Sequence, residues 1–271
     1  IGLAKKLGMT CVASLHGIDS QRSKWGKFAS WYLRRGEKMA ATRADSCMVL
    51  SKNMQSYIKE TYGVDSVLFY NGVDRAHLLE PNEIQSRFGL EKDSYILFLS
   101  RIVPEKGLDV LIEAFMRINT QKSLVIAGGA DNPEYYKKLM KLAENDKRIK
   151  FIGYVTGTLV DELYSNAWVF VLPSYLEGMS NSLLEALSYG NCCFLSDIPE
   201  NVEPAGNHAA YFRVGDAIDC QAKLQALLDD PKRVCAFKNS AASYITERYS
   251  WDGAVRLTLD VYQRVINSER M

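Results

Sequence analysis

Short, wholly apolar runs alternate with stretches of helical spacing along almost the whole chain, and this alternation constrains the fold more than any other feature. The runs at 95–100, 123–127 and 167–172 lack the polar interruptions of a half-exposed strand, so they predict strands covered on both faces. Between them, Leu108, Leu111, Ile112 and Phe115 recur at the spacing of one helix face. Strands that alternate with helices argue for parallel sheets in an α/β fold. Strands are expected at 9–15, 45–50 and 64–70 in a first half, and at 95–100, 123–127, 149–152, 167–172 and 191–195 in a second. Helices are expected at 21–43, 54–61, 108–115, 159–166, 181–188, 220–228, 231–248 and 253–266. With 271 residues the chain exceeds one typical domain. A polar stretch at 75–93, with Pro81 and Gly89, holds the expected boundary. The expected division is 1–76, 77–250 and a terminal helix at 251–271 crossing back to the first domain.

The net charge of +1 gives no field that would gather nucleic acid. No apolar run approaches the length of a bilayer span. The six cysteines, Cys11, Cys47, Cys192, Cys193, Cys220 and Cys235, show no metal-ligand spacing and read as reduced thiols of a cytoplasmic protein. The chain opens on Ile1 without a basic segment feeding an apolar one, so no signal peptide is visible and the chain reads as part of a longer protein.

The richest stretch is 173–190, a strand exit, a turn and a helix with Glu177 and Glu185 on either side of the turn. Backbone N–H groups at a helix start lack intrahelical partners, so Gly178 to Asn181 present donors to one anion, such as a phosphate. Glu185, about one turn in, would repel that phosphate, and its natural partner is a neutral diol such as a ribose. Two other readings stay open. Ser182 and Glu185 fit a capping box, and Glu177 fits an ordinary turn carboxylate. Paired carboxylates also serve glycoside hydrolysis, which ranks far behind.

Arg101 and Lys106 emerge after one strand, a planar fork and a mobile point charge suited to a diphosphate, or else two surface cations. His16 ends the strand at 9–15, the edge where open parallel sheets bind ligands; a structural histidine is the alternative. Asn71-Gly72 predicts a tight turn. Gly128-Gly129 is no Gly-x-Gly-x-x-Gly fingerprint, which argues against a dehydrogenase-type dinucleotide site. From Gln21 to Arg43, Trp25, Phe28, Trp31, Tyr32 and Met39 lie among Arg22, Lys24, Lys27, Arg34, Arg35, Lys38 and Arg43. Such a helix either lies on an anionic membrane surface or grips a lipid-linked acceptor, or it packs its aromatics on the sheet and leaves a solvated basic face.

The order of several motifs resembles the retaining, nucleotide-sugar-dependent glycosyltransferases of family four, group-1 type, with the two-Rossmann-domain GT-B architecture. The motifs are Leu15-His16-Gly17, Asn71-Gly72-Val73-Asp74, Ser100 to Gly107, Ala127-Gly128-Gly129, Phe151-Ile152-Gly153, the pair Glu177 and Glu185, and Tyr249-Ser250-Trp251 before a long helix. The resemblance implies that Glu185 holds the donor ribose, Arg101 and Lys106 its diphosphate, and Gly178, Met179, Ser180, Asn181 and Ser182 its phosphate and sugar hydroxyls. Tyr154 and Val155 would border the base, Glu177 the transferred sugar, and His16 would face that sugar from the other domain. It implies a first domain present only as its carboxyl-terminal part, a nucleoside diphosphate sugar as co-substrate with no cofactor and no metal, and a saccharide or lipid-linked acceptor. Met179 and Asn181 depart from the commoner Phe and Leu-type residues of the motif. A non-catalytic nucleotide-sugar-binding fragment is the alternative function.

Overall fold

The computed structural model describes residues 1–21 and 25–268. The chain forms two units: one is Ile1–Gly72 with Glu177–Met179 and Arg248–Met271, the other Val73–Leu176 with Ser180–Glu247. The first division thus falls at Gly72, ahead of the expected 76.

The first unit carries a parallel sheet of β1 (Val12–Leu15), β2 (Ser46–Val49) and β3 (Val67–Leu68), in that spatial order. Around it lie α1 (Gly2–Lys6), α2 (Lys27–Arg43) and α3 (Lys52–Tyr62). The sheet's inner strand β2 is the well-buried one, with Cys47, Met48 and Val49 at 3% exposure or less. Strand β1 is shorter than expected because the N–H of Cys11 turns to the Asp45 carboxylate at 2.8 Å. Helix α2 begins at Lys27, not Gln21, because Gly26 takes an extended conformation at its N-cap; Arg22 and Lys24 lie outside the described residues. Ser51 caps α3 by accepting the N–H of Met54 at 3.2 Å.

Asn71-Gly72 makes no turn. The glycine is required there by close approach, since a Cβ at Gly72 would lie 2.5 Å from the backbone of Trp251.

The second unit holds β4 (Tyr95–Leu99), β5 (Ser123–Ala127), β6 (Ile149–Gly153), β7 (Val169–Leu172), β8 (Cys193–Ser196) and β9 (Ala209–Phe212). They form one parallel sheet in the order β6-β5-β4-β7-β8-β9. Its helices are α4 (Glu83–Phe88), α5 (Leu108–Phe115), α6 (Pro133–Ala143), α7 (Thr158–Asn166), α8 (Asn181–Ser188), α9 (Pro199–Ala205), α10 (Ala217–Leu228) and α11 (Pro231–Arg248). The last helix, α12 (Trp251–Ser268), belongs to the first unit.

Ile96, Phe98, Leu124, Ile126, Val169 and Phe194 are fully buried in the second unit's core. Covering both faces of the sheet is what made these strands read as unbroken apolar runs. The chain runs outward from β4 through β5 to β6, then returns to lay β7 on β4's other side. That reversal makes a switch point at the carboxyl edge, the place where open parallel sheets take ligands.

Candidate functional site

The loop leaving β4 is fastened to the loop leaving β7. Lys106 ends a single 3-10 turn, Pro104–Lys106, and is 8% exposed. Gly107 follows it with φ of +61°, and a Cβ there would stand 2.3 Å from the carbonyl oxygen of Pro173. Only glycine allows that approach at that φ. The N–H of Tyr175 donates to the carbonyl of Glu105 at 2.9 Å. Lys106 is therefore held between two backbone anchors at the switch point.

Arg101, at the same strand exit, has a side chain 53% exposed and lies 3.5 Å from the Asp131 carboxylate. Further along the edge, the N–H of Ile102 donates to Gly129 and that of Gly128 to Gly153, each at 2.8 Å. Those bonds tie the exits of β4, β5 and β6 into one rim. Tyr154 stands out from that rim, 77% exposed, and Val155 beside it is buried.

Helix α8 follows β7 after the loop 173–180. Ser180 is its N-cap, but its side chain makes no capping bond; the Ser180 and Ser182 hydroxyls lie 3.0 Å apart and bond each other. The capping-box reading fails on two counts. Ser182 is the helix's second residue, and the Glu185 carboxylate accepts from the Tyr164 hydroxyl at 3.1 Å. Tyr164 is fully enclosed, and burial together with the neighbouring carboxylate pushes its phenol well above the ordinary value, so it remains a donor. Its ring stacks on Tyr189 at 5.2 Å, and Tyr189 in turn donates to Asp161 at 2.5 Å. Burial raises the pKa of Glu185, the Tyr164 bond opposes that, and the Asp161 charge adds to it. Glu185 is only partly buried and keeps capacity to accept bonds from a ligand.

Tyr164, Tyr189 and Asp161 were not anticipated from the sequence. Their one-dimensional signal is only that of ordinary helix positions, and Tyr164 meets its partner across two elements.

His16 sits just past β1 in the first unit, its ring edge-on to Phe69 at 5.5 Å. Glu177–Met179 group with that unit. A Cβ at Gly178 would fall 2.1 Å from the His16 carbonyl, and Met179 is 8% exposed, its sulfur 3.4 Å from the N–H of Asn71.

Open parallel sheets of the α/β class take their ligands at such a switch point, and here it carries a buried cation and a helix start. Residues 81–244 match the family model described as glycosyl transferases group 1, and residues 1–77 match glycosyltransferase family 4. The chain belongs to the group 1 glycosyltransferases. It is 28% identical over 237 residues to an uncharacterized glycosyltransferase of Methanocaldococcus jannaschii, covering 81% of this chain and 60% of that one. It is 24% identical over 217 residues to the O-antigen chain mannosyltransferase RfbU of Salmonella typhimurium, covering 79% and 59%. The chain thus spans about 60% of the length of these relatives.

Among solved structures, sucrose-phosphate synthase from Thermosynechococcus elongatus matches with a TM-score of 0.86 at 19% identity, covering 98% of this chain and 70% of that one. Anabaena HepE in complex with UDP-glucose matches with a TM-score of 0.83 at 16% identity, covering 97% and 74%. The fold is the GT-B architecture, built of Rossmann-like parallel-sheet units.

Proposed function

We propose that this chain is the donor-handling part of a glycosyltransferase that moves a hexose from a nucleoside diphosphate sugar to an acceptor hydroxyl, with retention at the anomeric carbon. The observation that carries the reading is Lys106, buried and pinned between two backbone anchors at the switch point. Arg101 and Lys106 would neutralise the departing diphosphate, aided by the start of α8. Glu185, held by Tyr164, would accept bonds from the ribose hydroxyls, and Tyr154 and Val155 would flank the base. Glu177 and His16 are assigned to the transferred sugar. The backbone from Gly178 to Asn181 and the Ser182 hydroxyl are assigned to phosphate and sugar oxygens.

In this scheme the C–O bond between sugar and diphosphate breaks as the acceptor oxygen bonds the anomeric carbon, and a leaving phosphate oxygen takes the acceptor proton. Atoms and charge balance without cofactor or metal. HepE's complex with UDP-glucose supports a nucleotide sugar as donor, RfbU's name as an O-antigen chain mannosyltransferase supports a saccharide acceptor in surface polysaccharide synthesis, and a Campylobacter jejuni relative, 29% identical over 182 residues and named for a diphospho-undecaprenol, supports a lipid-linked one. Six free thiols support a cytoplasmic location.

The test is Lys106→Ala assayed against a panel of nucleotide sugars. Transfer should fall by roughly a hundredfold or more, as it does when one preorganised charge donor is removed. Undiminished transfer would refute the assignment. A second reading, nucleotide binding without transfer, is favoured by the chain's spanning about 60% of its relatives; calorimetric binding of UDP with no product from any donor would select it.

A further inference from the structure

The chain that leaves β7 is fastened residue by residue. The carbonyl of Pro173 abuts Gly107, where a Cβ would come within 2.3 Å of its oxygen. The carbonyl of Ser174 accepts from the Ser196 hydroxyl, at the end of β8, at 2.6 Å. Ser196 in turn accepts from the side-chain amide of Asn201, at 3.0 Å on its hydroxyl and 3.1 Å on its carbonyl. Ser174, Ser196 and Asn201 are fully enclosed, and in such low-dielectric surroundings a made bond is strong and a lost one costly. The N–H of Tyr175 donates to the carbonyl of Glu105 at 2.9 Å. These bonds tie the exit of β7 to those of β4 and β8.

The Tyr175 ring extends the fastening to β9. Gly107 follows Lys106 on the loop leaving β4, and Gly215 is the third residue after β9. Their φ angles are +61° and +73°. A Cβ on Gly107 would stand 3.2 Å from Cε2 of the ring, and one on Gly215 3.1 Å from Cε1. Opposite edges of one ring thus abut two glycines, and glycine meets both demands there, the backbone angle and the space. A planar ring has few rotatable bonds, so once seated it is a stiff spacer. The turn it backs has little stiffness of its own. Pro104–Lys106 is one 3-10 turn, in which the N–H of Lys106 donates to Val103 and that of Gly107 to Pro104, each at 3.0 Å, and hydrogen bonds of that type are poorer than those of an α-helix.

We propose that Tyr175 is a positioning residue for Lys106: its ring, seated between Gly107 and Gly215, holds the turn Pro104–Lys106 against the exit of β7 and so fixes where the ammonium meets a diphosphate. The inference rests on the assignment of Lys106 to that group. A charge donor acts by being preorganised, so a loosened turn lowers transfer although Lys106 is still present. Gly215, at the exit of β9, thereby takes part in the site without touching a ligand.

The experiment compares the full chain with Tyr175→Ala, Tyr175→Phe and Gly215→Ala. In amide hydrogen exchange without ligand, the N–H groups of Lys106, Gly107 and Tyr175 should exchange faster in Tyr175→Ala and Gly215→Ala. In Tyr175→Phe, which keeps both ring edges, they should exchange as in the parent. Transfer from the best donor of the nucleotide-sugar panel should fall roughly tenfold to a hundredfold in Tyr175→Ala, the cost of a displacement of about 1 Å. In a Lys106→Ala background the same change should cost less than about twofold, because residues that act through one group are not additive. Where no donor is turned over, the dissociation constant of UDP carries the same cycle. Tyr175 is 45% exposed, so its loss opens a notch to water instead of an empty cavity and leaves the melting temperature near the parent's. Should Tyr175→Ala fail to fold, Gly215→Ala supplies the same readings. Unchanged exchange, an equal loss in Tyr175→Phe, or full additivity with Lys106→Ala would overturn the proposal. A Lys106→Ala chain with undiminished transfer would instead refute the diphosphate assignment, and faster exchange in Tyr175→Ala would still show that the ring holds the turn.

Discussion

A carboxylate drawn partly out of water sits in the protein at a cost that a ligand can offset, and Glu185 is such a group. Burial raises its pKa above the ordinary 4.5, against the hydrogen bond from Tyr164 and with the repulsion of Asp161. Between 4.5 and that raised value, the folded chain holds a proton that the unfolded chain has released. Stability therefore falls as pH rises through the window, and the deficit remains at neutral pH. Glu185→Gln keeps the shape, removes the charge and lets Tyr164 donate to the amide oxygen. The ligand-free variant should melt above the parent at pH 7, with the gap closing as pH drops to 4.5 and below. In the same variant nucleotide affinity should fall by about tenfold to a hundredfold, the worth of a charge-assisted hydrogen bond. Thermal denaturation at two pH values and UDP titration measure the two halves. If the variant is less stable at pH 7 and binds as before, Glu185 is a structural group and the ribose belongs elsewhere.

At the scale of elements, the short helix α4 stands because α7 holds it. Asn82 at its N-cap makes no side-chain capping bond. Instead Glu162 of α7, 4% exposed, accepts the N–H groups of Asn82 and Ile84 at 3.0 Å each. Burial alone would raise this carboxyl's pKa, but the backbone donors of Ile84, Asn82 and Glu83 outweigh it and hold it low. A depressed carboxyl stabilises above its ordinary pKa and loses that contribution as pH falls through its folded value. Glu162→Gln should cost about 1–3 kcal/mol in urea unfolding at pH 7, and the difference should shrink on acidification below 4.5. A gap that widens in acid would mean that the carboxylate is not the capping species. How far elements could be read from sequence follows the same physics. Strands β4, β5 and β7 were legible because both faces are covered and nothing polar interrupts them. Strand β9 was missed because two of its four residues are alanines, which suit a helix as well as a strand, and β1 and β3 came out too long because the residues flanking them continue the apolar pattern after the ladder has ended. Asn71-Gly72 misled because its glycine answers Trp251, a contact made 179 positions along the chain. For the same reason Arg101, Lys106 and Glu185 could be named as candidates from their places after a strand and in the first turns of a helix, while Tyr164, whose hydroxyl bonds Glu185, could not.

At the scale of the whole molecule, the chain leaves the first unit at Gly72 and returns at Arg248, so that α12 belongs to a sheet whose strands ended long before it. The return is anchored within the first unit by Trp251 against Gly72 and by Tyr249, edge-on to Tyr70 at 5.0 Å. Tyr249 is 1% exposed, so its removal empties a space that no other side chain fills, at about 3–5 kcal/mol for a buried aromatic. The three-stranded sheet has little core with which to absorb such a loss, whereas Arg101, Lys106 and Glu185 all lie in the second unit. A chain ending at Glu247 should then melt in two steps, the lower from the crippled first unit. UDP at a hundred times its dissociation constant should shift the upper step by about 2.7 kcal/mol. Differential scanning calorimetry with and without UDP reads both. Because a ligand stabilises only the structure that binds it, a lower step that moved as well would report the phosphate contacts assigned to Gly178 and Met179 of the first unit, and an upper step that stayed fixed would remove the donor from the switch point of the second.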